Sequence, residues 1–172
     1  MTEFLLSLLR KIRLRAVARM GKRGAVLGPV SVRGEGHIVI GDDVRLEAMQ
    51  APIELHAGPG AEIVVERGAV IEAGCSIEAM QSVRIGEGAR IGAFSKIMDN
   101  QFHALEGDRR NRPASLPVLT EAFAVLGPRS LVLPGASVGR SARVGAGSVV
   151  SRRVPGGADV HGFPLLARTR KP

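Results

Sequence analysis

The chain of 172 residues has no tryptophan and no tyrosine, and five phenylalanines bring its aromatic share to only 3%. A core built on large rings is excluded, and so is a nucleic-acid surface on which bases stack. The single cysteine, Cys75, cannot form an intrachain disulfide and leaves the redox compartment open. No stretch approaches the roughly 20 apolar residues of a membrane span. The opening segment does not read as a signal peptide, because its apolar run is short and basic residues follow it. The four histidines, His37, His56, His103 and His161, include no closely spaced pair of the kind that ligates zinc, and no metal is expected.

The charge is unevenly spread. Residues 1–24 carry seven Lys/Arg against one Glu, residues 35–87 ten acids against three Arg, and the chain from residue 88 onward is again basic within a net +8. A nucleic-acid binder does not carry an acidic waist of that size, so no nucleic-acid partner is expected.

What the sequence does have is a period of six. Aliphatic residues recur at Val26, Val32, Ile38 and Val44; at Val65, Ile71, Ile77 and Val83; at Ile85, Ile91 and Ile97; and at Leu126, Val132, Val138, Val144 and Val150. Four places after many of them stands a small residue, as at Ala69, Cys75, Ala89, Ser95, Ala136, Ala142 and Ser148. An α-helix repeats at 3.6 and an ordinary strand at 2. A strict six with intervening glycine is the mark of a parallel β-helix, in which short strands stack coil on coil. Twenty-two glycines and ten prolines suit a chain that turns a corner every few residues. The small hexad position makes Cys75 a buried hydrophobe rather than a reactive thiol.

Three segments follow. Residues 1–23 read as a basic amphipathic helix, with Phe4, Leu5, Leu8, Leu9, Ile12, Ala16, Val17 and Met20 on one face and arginines on the rest. Such a helix either caps the first coil or lies peripherally on an anionic membrane surface. Residues 24–155 form the coil, with a register slip near Gln50–Pro59 and a two-residue shift between Val83 and Ile85. Residues 156–172 form a basic tail containing Arg168. Within the coil, residues 98–117 hold no hexad, and a polar excursion of this length from a regular rod marks function.

His103 lies in that excursion, and an imidazole is the side chain best suited to take a proton from a hydroxyl at neutral pH. Asp99 and Asn100 stand close enough in sequence to orient it or an acceptor. Gly145-Ala146-Gly147-Ser148-Val149-Val150 lacks the Lys-Ser/Thr of a phosphate-binding loop and reads as a tight corner. Its backbone N–H groups can still face a thioester oxygen, and Arg152 and Arg153 follow it as phosphate partners.

Together these motifs resemble the hexapeptide-repeat acyltransferases, in particular the maltose/galactoside O-acetyltransferase group. Asp99-Asn100-Gln101-Phe102-His103 is similar to that family's Asp-x-x-x-His, and Pro117-Val118 to the Pro-Val that re-enters the coil. Leu133-Pro134-Gly135-Ala136-Ser137-Val138-Gly139, the Gly145–Val150 run, Val154-Pro155 and His161-Gly162-Phe163-Pro164 resemble its later motifs. Val125-Leu126-Gly127 stands where the family has Trp-Ile-Gly, and Thr120-Glu121 where it has Ile-Gly.

The resemblance implies an all-β fold, a left-handed parallel β-helix of hexapeptide repeats, assembled as a homotrimer with sites between subunits. It implies acetyl transfer from acetyl-CoA to a hydroxyl of a sugar or cell-envelope saccharide, with His103 as general base and no covalent intermediate. Asp99 and Asn100 would position the imidazole or the acceptor. Gly127, Ala146 and Gly147 would offer backbone groups, and Arg152, Arg153 and Arg168 would meet the coenzyme phosphates. A cytoplasmic protein, at the inner face of the membrane if the first helix binds there, is the corresponding location. The alternative is a non-catalytic β-helix that serves as a scaffold.

Overall fold

The computed structural model describes residues 18–101, 110 and 113–167, and every regular element among them is a β-strand. Successive strands fall in turn on three parallel sheets, so each pairs with the third strand along the chain. Sheet A has seven strands, from Arg19–Met20 to Arg153–Val154, and sheet C six, from Val30–Arg33 to Val149–Val150. Sheet B has eight and begins at Ala25–Leu27. Its parallel part ends at Asp159–His161, onto which Leu166–Ala167 folds back antiparallel. This is the parallel β-helix that the period predicts, in the left-handed hexapeptide-repeat form that the resemblance implies.

The hexad residues are the core. Ile71, Ile91, Leu126, Val144 and Val160 stack in register in sheet B, and Leu55, Ile77, Ile97, Val132 and Val150 in sheet C. All are buried, and so are the small residues at the corners. Each fully buried aliphatic side chain contributes roughly 1.5–3 kcal/mol, which is how a core without large rings holds. Three full hexads separate Leu119 from Ser137, Val125 from Arg143 and Leu131 from Val149, their register partners.

The sheet A column carries one polar intruder. It runs Ile40, Val65, Ile85, Thr120, Val138 and Val154, and the Thr120 hydroxyl is buried without a hydrogen-bond partner. A buried unmatched hydroxyl costs about 1–3 kcal/mol. Thr120→Val keeps the shape and removes the hydroxyl. It should raise the denaturation midpoint by the equivalent of about 1 kcal/mol, and an unchanged or lower midpoint would show that the hydroxyl is satisfied in solution.

Along the edge between sheets B and C runs a ladder of small polar side chains. Cys75 Sγ donates to the Gly92 carbonyl at 3.2 Å, Ser95 Oγ to Gly127 at 3.2 Å, and Ser130 Oγ to Gly127 at 2.7 Å. Ser148 Oγ accepts from the Gly162 N–H at 2.9 Å. Cys75 is thus the first rung of a serine ladder, and burial pushes its thiol pKa up to about 11. Thiol reagents at pH 8 should modify it only on unfolding, and Cys75→Ser should fold with little change in Tm, because serine occupies the equivalent rungs. Rapid labelling of the folded protein would contradict the burial.

Both boundaries of the coil differ from the sequence expectation. Ala18 is buried, and Arg19–Met20 is a strand paired with Val39 and Ile40, so the coil begins before residue 24 and Met20 is not helical. Residues 1–17, where the rest of that helix was expected, lie outside the described residues. At the other end, Pro155-Gly156-Gly157 is a corner and not a stop, because Gly157 adopts φ +69° and the chain returns to sheet B at Asp159–His161. The slips near residues 50–59 and 83–85 are real. Met49 and Gln50 bulge out exposed, while Val83 and Ile85 both point into the core from one longer strand. No helix among the described residues is long and apolar enough to cross a membrane.

Candidate functional site

The excursion leaves the coil at the edge between sheets C and A. Val83 pairs with Val118 and Lys96 with Leu131, so this one coil takes nearly twice the residues of its successors. Its root is pinned by Asp99, which is fully buried. Met80 N–H donates to Asp99 Oδ1 at 2.8 Å, while Gln81 and Ser82 N–H donate to Oδ2 at 2.7 Å each. The carboxylate thereby satisfies three consecutive amides where the preceding coil turns the same corner. The far end of the excursion is tied as well: Leu116 N–H donates to the Asp99 carbonyl at 2.8 Å, and Gly135 N–H to the Leu116 carbonyl at 2.9 Å.

Asn100 is also fully buried. Its Nδ2 donates to Asp99 Oδ1 at 3.3 Å, which fixes the amide orientation, and its Oδ1 is left buried with no partner. The sequence grouped Asp99 and Asn100 as orienting residues. In the fold their situations diverge, because the Asp99 carboxylate is occupied as an anchor and only Asn100 presents an unmatched acceptor. His103, the proposed base, and Arg168 lie outside the described residues.

The glycine-corner candidates sit on the other edge of sheet C, where it meets sheet B. Gly127 is glycine for a steric reason: a Cβ there would stand 2.5 Å from the Ala146 nitrogen of the next coil. Its N–H donates to the Val144 carbonyl at 2.7 Å, so that amide cannot also bind an oxyanion. Gly147 adopts φ +67° and spends its N–H on the Pro128 carbonyl at 2.8 Å. Ala146 differs. At the equivalent corner position of the earlier coils, the Ala93 N–H is taken by Glu72 Oε2 at 3.0 Å, and position 128 is a proline with no N–H. Among the described residues the exposed Ala146 N–H finds no partner.

Charge divides the rod in two. Arg23, Arg45, Arg67, Arg84 and Arg90 each pair with an acid within 3.1 Å, usually one coil away. Such exposed pairs stabilise little, but they cancel the local field. In the distal coils Arg129, Arg143, Arg152 and Arg153 are exposed, and none forms an ion pair among the described residues. Arg140 lies over the Phe123 ring at 4.9 Å. An uncancelled basic end attracts a multiply charged anion. Arg152 turns the same edge as the excursion, Gly127, Ala146 and Gly147 turn the opposite one, and sheet C lies between them. No three His, Cys, Asp or Glu side chains among the described residues form a metal-ligating group.

The comparisons agree with this architecture. Residues 121–152 match the family described as hexapeptide repeat of succinyl-transferase. A 52-residue segment, 30% of this chain, is 40% identical to the 2,3,4,5-tetrahydropyridine-2,6-dicarboxylate N-acetyltransferase of Staphylococcus aureus, and it spans only 22% of that relative's length. Among solved structures, AntD, an N-acyltransferase from Bacillus cereus in complex with dTDP and 3-hydroxybutyryl-CoA, superposes with a TM-score of 0.74 at 15% identity, covering 94% of this chain and 88% of its own. A hexapeptide-repeat-containing acetyltransferase of Vibrio cholerae, complexed with acetyl coenzyme A, gives 0.66 at 18% identity, covering 96% and 78%. With its repeat segment matched by sequence and nearly its whole length matched by shape, this chain has the fold of the hexapeptide-repeat acyltransferases.

Proposed function

We propose that the protein transfers an acetyl group from acetyl-CoA to a hydroxyl of a sugar or cell-envelope saccharide. The observation that carries this reading is the excursion root. A fully buried Asp99–Asn100 pair holds a polar loop on the edge of an otherwise inert rod, with His103 following in sequence and an unmatched Asn100 Oδ1 left to orient it. His103 takes the proton of the acceptor hydroxyl as its oxygen attacks the thioester carbonyl. The tetrahedral oxyanion then collapses, the C–S bond breaks, and the proton held by His103 passes to the sulfur, so that coenzyme A leaves as the thiol and the base is restored. The free Ala146 N–H is the oxyanion donor this chain offers, a contribution of about 3–4 kcal/mol in studied enzymes. Arg152, Arg153 and Arg168 meet the coenzyme phosphates.

The excursion and the Ala146 corner lie on opposite edges of sheet C, so one copy does not bring them face to face. A homotrimer, in which the edge of one copy meets the other edge of its neighbour, completes the site. The Staphylococcus aureus relative is an N-acetyltransferase and AntD an N-acyltransferase, which makes an amino group the competing acceptor.

A second reading, a non-catalytic scaffold, is favoured by Thr120-Glu121 and Val125-Leu126-Gly127, which replace family residues beside the expected coenzyme channel. Calorimetric titration with acetyl-CoA separates the two. The enzyme reading expects saturable binding that weakens with salt and in an Arg152→Ala/Arg153→Ala variant. Absence of binding at millimolar coenzyme would leave the scaffold.

A further inference from the structure

The outer face of sheet C carries a second polar cluster, on the proximal side of the excursion. Arg33, His56 and Glu78 occupy successive register positions in neighbouring strands, and Glu54 and Ser76 pair in the adjacent column. Together they line a cleft of about 90 Å³. Glu78 is its unusual member. Oε2 is shut off from solvent and accepts no hydrogen bond, while Oε1 has only the Ser76 hydroxyl at 3.4 Å and Lys96 Nζ at 3.9 Å. Elsewhere on the rod, Glu66, Glu72 and Glu87 are held by arginine at 2.6–3.1 Å. A buried carboxylate oxygen with nothing to accept is costly, and rotation of the carboxylate toward a donor held in the cleft removes the cost. The cleft also adjoins the proposed reaction site, because the Asp99 N–H donates to the Glu78 carbonyl at 3.3 Å.

Its chemistry narrows the ligand. Two carboxylates repel a phosphate or an organic acid, and Arg33 together with Lys96, 3.9 Å from Glu78, offsets their charge, so no net field holds a simple cation there. Acceptors and donors alternating in a narrow polar cleft match the vicinal hydroxyls of a neutral pyranose. We infer that this cleft holds a neutral saccharide unit of the acceptor, with Glu78 accepting from its hydroxyls and Arg33 donating to them. Its role as an acceptor subsite rests on the acyl-transfer reading; the binding does not.

Saturation-transfer NMR on the intact protein tests it, with a panel of methyl glucopyranoside, methyl galactopyranoside and methyl N-acetylglucosaminide, and with no acyl donor present. At least one glycoside is expected to bind saturably. Glu78→Gln should weaken that binding about 10-fold or more, and Arg33→Ala, at an exposed position that folding does not need, should weaken it as well. Glu47→Gln, on sheet B, should leave it unchanged. The inference is overturned if no glycoside binds the wild type. It is equally overturned if Arg33→Ala and a folded Glu78→Gln bind as the wild type does; should Glu78→Gln fail to fold, Arg33→Ala decides. Because coenzyme A is absent, a negative transfer assay would not account for either result.

Discussion

His103→Ala is expected to lower acyl transfer by about 10²–10⁴ while Tm and assembly stay unchanged. That size is what a positioned general base supplies, and neither Asp99 nor Cys75 offers a substitute. The Asp99 carboxylate is already filled by three backbone amides, and the Cys75 thiol is buried on another edge. In the wild type, kcat/KM should fall on the acid side, where a base is protonated, and level off once the base is neutral. The variant should lose that limb. Steady-state rates over pH 5–9 check both statements, and near-normal turnover in the variant would remove His103 from the mechanism.

Asp99→Ala should behave in the opposite way, lowering stability and turnover together. It strands the Met80, Gln81 and Ser82 amides in a buried corner and frees the root of the excursion. The stability loss should reach about 3 kcal/mol, seen as a fall in the denaturation midpoint. Asp99→Asn should fall between, since one of its two positions becomes a donor facing N–H groups. Asn100→Ala removes an unmatched acceptor instead, so it should cost more in turnover than in stability. Equal loss of stability in Asp99→Ala and Asn100→Ala would contradict the division of roles between them.

The fold was legible because stacking imposes one rule on every coil. An aliphatic residue each sixth position is what three sheets around a narrow core demand, and every member of the columns through Ile71 and Ile77 is aliphatic, although the coil from Ile71 to Ile91 takes 20 residues where that from Leu126 to Val144 takes 18. The ends were less legible. Met20 fits a helical stripe as well as a strand, and the Gly156-Gly157 pair looks like a terminator until Val160, six places after Val154, is seen to stack on Val144. The excursion announced itself as a failure of the period. What held it did not, since the link from Asp99 to the corner at Met80 spans a coil and leaves no periodic trace. The Glu78 cleft was hidden for the opposite reason: each member sits at a regular outward position. Its signal was a polar-x-polar pattern repeated at Ser31-x-Arg33, Glu54-x-His56 and Ser76-x-Glu78, strands that the fold places side by side.

We propose an acetyl-CoA-dependent transferase whose chemistry sits at the excursion. Free-thiol release from acetyl-CoA, measured against a panel of sugars and amino sugars, tests it most directly. The predicted result is release that requires both the intact His103 and a hydroxyl-bearing saccharide, with amino sugars no better than their hydroxyl counterparts. Release that needs an amino group would contradict the acceptor, and no release above background with any member of the panel would contradict the claim itself.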